Sequence, residues 1–205
     1  MASRSFVWNR NISGTIGKLP KGEFKKVTLA KYWHPVETDI HRLLEHVGKG
    51  HPWSPGIFGA GTRNRAKGNV TSAQAIGIDI DDGMTVAEAL AHPFIRQYAA
   101  AIYPSPSHQK DKHGVKCDRY RIVFILPEAV TSVPLYEQAV RIVMDKFEAA
   151  DETCKDASRF FYGGDGRGLD PFLVNDKAEL PEAVLKQARL ALAQERKEEE
   201  RQRLE

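Results

Sequence analysis

The segment Ile76–Gly83 constrains the fold of this chain more than any other stretch of its 205 residues. Apolar residues alternate with other types along it, which predicts a β-strand with two different faces. Three isoleucines would point into a core, whereas Asp79 and Asp81 would lie side by side on the opposite face. The pattern therefore predicts a strand that presents two neighbouring carboxylates.

Two carboxylates held this close repel each other, so a protein tolerates them mainly when they share a cation or a proton. Oxygen ligands favour Mg²⁺ or Mn²⁺ over Zn²⁺. A metal ion held by paired carboxylates indicates phosphoryl or nucleotidyl transfer. The structural alternative is that Asp81, Asp82 and Gly83 form an ordinary turn that closes the strand.

Composition places the chain among globular proteins with one substantial α/β domain. Its hydrophobic content of 41% is enough for a core, and its two cysteines give no disulfide framework, which predicts a cytoplasmic location. No apolar stretch reaches the length that a membrane span needs, so no membrane partner is expected. We expect a domain over residues 1–180 and a charged helix over 181–205, a linker or a truncation point.

The positive charges are concentrated in three clusters, although the formal net charge is only +3. These clusters are Lys18–Lys31, Arg63–Lys67 and Lys110–Arg121. Clustered charge predicts binding to a polyanion, and the alternative for each cluster is a solvated surface. The candidate nucleic-acid-binding residues are Lys25, Lys26, Arg63, Arg65 and Lys67.

The order of predicted elements favours one fold class. After the acidic strand, the sequence predicts a helix over 85–100 that Pro93 kinks or splits. It then predicts strands over 101–103 and 120–126, a helix over 132–150 and a last strand over 159–162. This order resembles a ferredoxin-like or RRM-like βαββαβ core, preceded here by an N-terminal α/β portion. Such an antiparallel sheet has one face covered by helices and the other face open for a site.

Three motifs occur in a fixed order along the chain. They are Ile78-Asp79-Ile80-Asp81, then Pro106-Ser107-His108, then the segment 151–162. Together they resemble the archaeo-eukaryotic primase (AEP) superfamily, specifically the primase-polymerases of plasmids, phages and CRISPR-associated loci. That family has a hydrophobic-Asp-hydrophobic-Asp motif, a small-x-His motif and a third acidic motif on an RRM-like core. The resemblance covers roughly residues 30–170.

The resemblance implies a template-dependent nucleotidyltransferase, a DNA primase or DNA polymerase, that uses Mg²⁺ or Mn²⁺. Asp79 and Asp81 would be the first two metal ligands. Asp151 would be the third, with Asp156 as the alternative because it lies closer to the last predicted strand. The implied partners are a single-stranded DNA template and nucleoside triphosphates, with a helicase or a CRISPR or plasmid replication protein as a further partner.

The same resemblance implies that His108 contacts the triphosphate of the incoming nucleotide, with Ser107 beside it. Arg121 and Arg159 are suitable further donors, because neutralising a triphosphate is largely a matter of positioned positive charge. The alternative for Arg121 is a salt bridge to Asp118 or a surface charge. For Arg159 it is aromatic stacking or a structural ion pair.

Other interpretations use the same residues. A metal-dependent nuclease could hydrolyse phosphodiesters with these acids, but would need a base that activates water. A non-catalytic module that binds single-stranded nucleic acid leaves the paired acids unexplained, because they repel phosphate. A zinc site could use His108, His113, Cys117 and Cys154, although their spacing lacks a CxxC pair.

Overall fold

The computed structural model describes residues 3–11, 29–59, 63–111, 114–147 and 149–205. A small antiparallel sheet lies in the N-terminal portion, with strand order β2-β1-β3. Its strands are β1 (Phe6–Arg10), β2 (His34–Thr38) and β3 (Trp53–Ser54).

A second sheet has five strands in the order β4-β5-β7-β6-β8, and each neighbouring pair is antiparallel. Its strands are β4 (Gly56–Phe58), β5 (Val70–Ile80), β6 (Ala99–Pro104), β7 (Tyr120–Val130) and β8 (Leu173–Val174). The central order β5-β7-β6 is that of the first three strands of a ferredoxin-like core. The predicted antiparallel α+β fold is confirmed.

The described residues form five α-helices. They are α1 (Ile40–Gly48), α2 (Val86–Ala91), α3 (Pro93–Tyr98), α4 (Val133–Met144) and α5 (Glu182–Leu204). Pro93 divides the predicted helix 85–100 in two, because a proline without an N–H group fits the first position of a helix and not its interior. Helix α4 ends earlier than the predicted residue 150, and residues Glu152–Lys155 form a short 3₁₀ helix.

Helices α3 and α4 cover one face of the five-stranded sheet, whereas α1 packs beside the small sheet through the contact of His46 with Trp8. Phe124 of β7 lies on this face, with ring centroids 5.6 Å from Phe94 of α3 and 6.1 Å from Phe147, which follows α4. Only the first part of α5 joins the same core, through Val184 and Leu185, and from residue 193 onward the helix is exposed. The opposite face of the sheet is therefore the face that remains available for a site.

The prediction of a last strand over residues 159–162 is wrong. Within this segment Phe161 forms an isolated bridge with Trp53, with reciprocal N–H···O hydrogen bonds of 3.0 and 2.8 Å. The segment crosses the open face of the sheet, where the Phe161 ring lies against Gly77 of β5. The strand that adds to the sheet after α4 is β8, and it pairs with β6 at the other edge.

None of the helices in the described part of the chain is both long and apolar enough to cross a membrane.

Candidate active site

Strand register aligns three functional side chains across the open face of the sheet. Asp79 of β5 is opposite Arg121 of β7, and Arg121 is opposite Tyr103 of β6. The Nε of Arg121 lies 3.4 Å from Oδ1 of Asp79, and their side chains are only 5% and 12% exposed. The pairing of the strands therefore creates a buried ion pair, and Asp79 is not the solvent-facing acid that alternation alone suggests.

The Arg121 side chain has several contacts besides its ion pair with Asp79. Its Nη1 donates to the backbone oxygen of Tyr162, and its guanidinium lies 5.9 Å from the ring centroid of Tyr103 and 5.4 Å from that of Phe161. Burial opposes the charged form, but the charge of Asp79 and the interaction with Tyr103 outweigh it and raise the pKa of Arg121. Arg121 is therefore a permanent counter-charge for Asp79.

Two more carboxylates lie at the end of β5. Asp81 is exposed just beyond the last strand residue. The backbone N–H of Asp151 donates to the backbone oxygen of Asp79 at 3.0 Å, so the chain after α4 is held against the same strand end. A cavity of about 260 Å³ opens here, and its lining includes Asp79, Asp81, Asp151, Arg121, Arg159 and Ser107.

Arg159 joins two of these carboxylates. Its Nη2 lies 3.3 Å from Oδ2 of Asp79 and 3.1 Å from Oδ2 of Asp151. Burial acts to raise the pKa of Asp151, but hydrogen bonds from the N–H and hydroxyl of Thr153, together with Arg159, lower it overall. Both carboxylates therefore meet one cation in this arrangement.

The donor chemistry of the cavity fits a divalent cation, because Asp79, Asp81 and Asp151 offer only oxygen. Their arrangement fits less directly. Among the described residues, no three His, Cys, Asp or Glu side chains are close enough to hold a metal ion together. Arg159 lies where two of the carboxylates would share one, so it must move before they can do so.

Asp156, the alternative third carboxylate, does not line this cavity. Its Oδ1 accepts hydrogen bonds from the N–H and the hydroxyl of Ser158, at 2.8 and 2.9 Å. These bonds cap the turn that leads to Arg159. Asp151 thus lies near the other carboxylates, whereas Asp156 stabilises the turn that leads to Arg159.

Comparison with known proteins bears on the fold. No protein-family profile matches the sequence, and no curated protein matches it. Among solved structures, the AEP domain of the primase-polymerase (PrimPol) of cyanophage S-2L is similar, with a TM-score of 0.51 and 13% sequence identity. The similarity covers 88% of this chain and 87% of that domain. The chain has the AEP fold.

The segment Pro106-Ser107-His108, which the sequence predicts to be the second motif, lies in the turn that follows β6. Ser107 lines the cavity, whereas the His108 ring lies in a neighbouring hollow, 5.2 Å from the ring centroid of Phe172. The Nδ1 of His108 accepts the backbone N–H of Arg119 at 3.2 Å, and its Nε2 lies 4.0 Å from Asp118. The structure therefore brings Ser107 to the carboxylates but not the His108 ring.

Each cysteine contacts the backbone of one motif aspartate. The Sγ of Cys154 accepts the N–H of Asp79 at 3.2 Å, and the Cys117 thiol donates to the backbone oxygen of Asp81 at 3.3 Å. Burial raises the pKa of the Cys154 thiol to about 12, so it is neutral. These contacts had no signal in the sequence. The described members of the alternative zinc site do not form a metal-binding group, and its remaining candidate His113 lies outside the described residues.

The other side of the cavity is aromatic, a feature that the sequence analysis missed. Phe160 and Tyr162 line it, with ring centroids 4.9 Å apart and planes at 72°. Arg65 lies over the Phe160 ring at 4.7 Å and donates to the backbone oxygen of Ser158. The cavity is thus lined by charged side chains on one side and by this aromatic wall, Phe160 and Tyr162, on the other.

The predicted nucleic-acid-binding residues have different environments. Arg63 and Lys67 are exposed, and Lys67 forms an ion pair of 2.7 Å with Glu137. Arg65 is half-buried by its contacts with the aromatic wall. Lys25 and Lys26 lie outside the described residues. The Arg63–Lys67 cluster is therefore next to the cavity through Arg65.

The close contact between the Gly77 backbone and the Phe161 ring supports the segment that carries Arg159. The Phe161 ring lies directly on Gly77, where any Cβ would overlap it. Phe161 also stacks on Trp53, with centroids 5.1 Å apart, and the indole N–H of Trp53 donates to the Tyr103 hydroxyl at 2.8 Å. Gly77 therefore allows the segment that carries Arg159 to lie on the sheet.

Proposed function

We propose that this chain is a template-dependent nucleotidyltransferase, a DNA primase or DNA polymerase, that works with divalent metal ions. The observation that carries the proposal is the meeting of three carboxylates and two arginines in one cavity, at the end of a central strand of an AEP fold. Acids alone would repel a nucleotide. Acids together with positive side chains suit a metal-bound triphosphate.

Asp79, Asp81 and Asp151 would hold Mg²⁺ or Mn²⁺. When bound, the metal ions would activate the 3′-hydroxyl of the primer or first nucleotide and stabilise the pyrophosphate leaving group. Asp79 would keep one oriented carboxylate in place, because Arg121 and the strand register fix it. Asp81 and Asp151 are more exposed and would adjust to the incoming ligand.

The positive groups would receive the triphosphate. Arg159 is 26% exposed at the cavity, which suits a group that must reach a ligand. Ser107 would add a hydroxyl donor from the turn after β6. Contact between His108 and the triphosphate stays a prediction, because it needs the ring to leave its hollow beside Phe172.

Single-stranded DNA would be the template. The exposed Arg63 and Lys67 would contact the phosphate backbone next to the cavity, and Lys25 and Lys26 are proposed to do the same. A helicase or a plasmid or CRISPR replication protein is the proposed further partner. The cytoplasmic location and the division at residue 180 also stay predictions.

The test is incubation of the protein with single-stranded DNA, labelled nucleotides and Mg²⁺ or Mn²⁺, followed by sizing of the products. New oligomers would identify a primase, and extension of a supplied primer alone would identify a polymerase. Shortening of the template without synthesis would replace the proposal with a nuclease. Asp81→Asn should abolish synthesis, whereas Asp82→Asn is the matched control, since Asp82 is the next residue, exposed and outside the cavity lining.

A further inference from the structure

One nitrogen of the Arg159 guanidinium donates to the carboxylates of both Asp79 and Asp151. Its Nη2 is within 3.3 Å of an oxygen of Asp79 and of an oxygen of Asp151. These acids come from different elements, the end of β5 and the segment after α4. A single positive charge therefore occupies the position at which two oxygen donors converge.

The two arginines of the cavity are not equivalent. Arg121 is only 5% exposed and also donates to the backbone of Tyr162. Arg159 is 26% exposed, and its Nε has no hydrogen-bond partner among the described residues. The Arg159 side chain is thus held by the two carboxylates and by the Phe161 ring, whose centroid lies 5.7 Å from the guanidinium. Because it is more exposed than Arg121 and does not bond the backbone of Tyr162, Arg159 is the arginine that can move away from the carboxylates.

We propose that Arg159 is an internal cation that neutralises Asp79 and Asp151 until a divalent metal ion replaces it. The released guanidinium then binds the phosphates of the incoming nucleotide. This inference rests on the proposed function, because it assigns to the same cavity an order in which its charges are exchanged. No covalent bond changes in this step: one cation replaces another at the carboxylates.

This exchange couples metal binding to nucleotide binding. Without a nucleotide, a metal ion has to displace Arg159 from both carboxylates, which weakens its apparent affinity. A bound triphosphate offers Arg159 new anionic partners and removes that competition. By linkage, metal and nucleotide then strengthen each other's binding by the same factor.

The test is a titration of the nucleotide-free protein with Mn²⁺, with free Mn²⁺ measured by electron paramagnetic resonance. Arg159→Gln should bind Mn²⁺ about two- to fivefold more tightly than the wild type, the range expected when a partly exposed ion pair is removed. Arg159→Lys keeps the charge and should stay near the wild type. Arg189→Gln is the control for net charge, because Arg189 pairs with Glu128 on the surface of α5.

Equal Mn²⁺ affinity in Arg159→Gln and the wild type would overturn the inference and leave the metal site intact. Equal tightening in Arg189→Gln would also overturn it, because the effect would then come from net charge. If the wild type binds no Mn²⁺ even with a non-hydrolysable nucleotide, the proposed metal-dependent function itself fails. Arg159→Met, which retains an apolar stem on Phe161, replaces Arg159→Gln in the titration if that variant unfolds.

The same variants provide a second readout. Nucleotide binding to the Mn²⁺-loaded protein, measured by equilibrium dialysis with a non-hydrolysable triphosphate, should weaken roughly tenfold in Arg159→Gln, because a charge-assisted hydrogen bond is lost. Opposite changes in metal and nucleotide affinity support the exchange. A parallel loss of both would indicate that Arg159 only holds the site together, and would overturn the inference.

Discussion

The backbone N–H of Asp79 donates to the Sγ of Cys154, a residue 75 positions further along the chain. The thiol is buried and neutral, so it offers the strand end an acceptor without adding charge. The contact holds the 3₁₀ helix after α4 against β5, and Asp151 begins that helix. One sulfur atom thus helps to set the distance between two of the carboxylates.

Loss of this acceptor should be measurable. Cys154→Ala is expected to lower the free energy of unfolding by about 1–2 kcal/mol, because it leaves the buried N–H of Asp79 without a partner. Urea unfolding followed by circular dichroism gives the value. Cys117→Ala, which removes a more exposed thiol at Asp81, should change stability by less than about 0.5 kcal/mol. Equal effects of the two substitutions would contradict this account.

Substitutions of Asp79 and of Asp81 should lower the stability of the protein by different amounts but should both remove nucleotide incorporation. Asp79→Ala leaves the buried Arg121 without its counter-charge, so we expect about 3 kcal/mol of destabilisation. Asp81→Ala, at an exposed position, should cost less than about 0.5 kcal/mol. Both should abolish nucleotide incorporation. Chemical denaturation and primer-extension assays on the same preparations separate the effects, and full activity of the double variant would remove the metal hypothesis.

His108→Ala tests the prediction that His108 belongs to an AEP motif that contacts the nucleotide. A hydrogen bond to a charged phosphate contributes about 1.5–3 kcal/mol, so its loss should raise the KM for nucleotide roughly ten- to hundredfold. The affinity for single-stranded DNA should not change, because the His108 ring packs beside Phe172, whereas the Arg63–Lys67 cluster adjoins the aromatic wall through Arg65. An unchanged KM would leave His108 as a residue that only holds the turn after β6.

Template binding should be largely electrostatic and independent of sequence. The affinity for single-stranded DNA is expected to fall steeply with salt, as the release of counterions requires. Arg63→Gln should reduce the slope of log affinity against log salt by about 0.7, the value for one phosphate contact on a single strand. Fluorescence anisotropy at several salt concentrations measures it. Binding that is insensitive to salt would count against this surface.

Stability should depend on pH through His46 of α1. Its ring is buried, lies 5.1 Å from the ring of Trp8 and has its Nε2 3.0 Å from the backbone oxygen of Pro52, and burial lowers its pKa to about 4. The unfolded state therefore binds the proton more readily, and stability is lost as pH falls from about 6.5 towards 4. The loss should approach about 3 kcal/mol and should be smaller in His46→Gln.

Alternation along β5 was sufficient to predict the face that carries Asp79, because a strand reverses side-chain direction at every residue. Pro93 was sufficient to predict the interruption between α2 and α3. These properties depend on neighbours in sequence. The order of the central elements therefore followed from local patterns, whereas the meeting of Asp79 with Asp151 was implied only by the resemblance to the AEP superfamily.

The misplaced features depend on residues that are distant in sequence. The aromatic run at Phe161 has the composition of a strand, but its pairing with Trp53 draws it across the sheet. Likewise, nothing near Arg159 indicates that it reaches Asp79, 80 positions earlier. The position of the His108 ring likewise depends on contacts with Phe172 and Arg119 that the sequence pattern does not show.

The contact between Gly77 and Phe161 has a consequence for sequence variation. A larger residue at position 77 would lift the segment that carries Arg159 off the sheet, although neither partner in the contact takes part in chemistry. In a library that randomises both positions, functional clones should keep Gly77 or combine Ala at 77 with a smaller residue at 161. The residues at positions 77 and 161 should therefore co-vary. A screen of the library for activity would reveal this steric clash before any measurement of stability does.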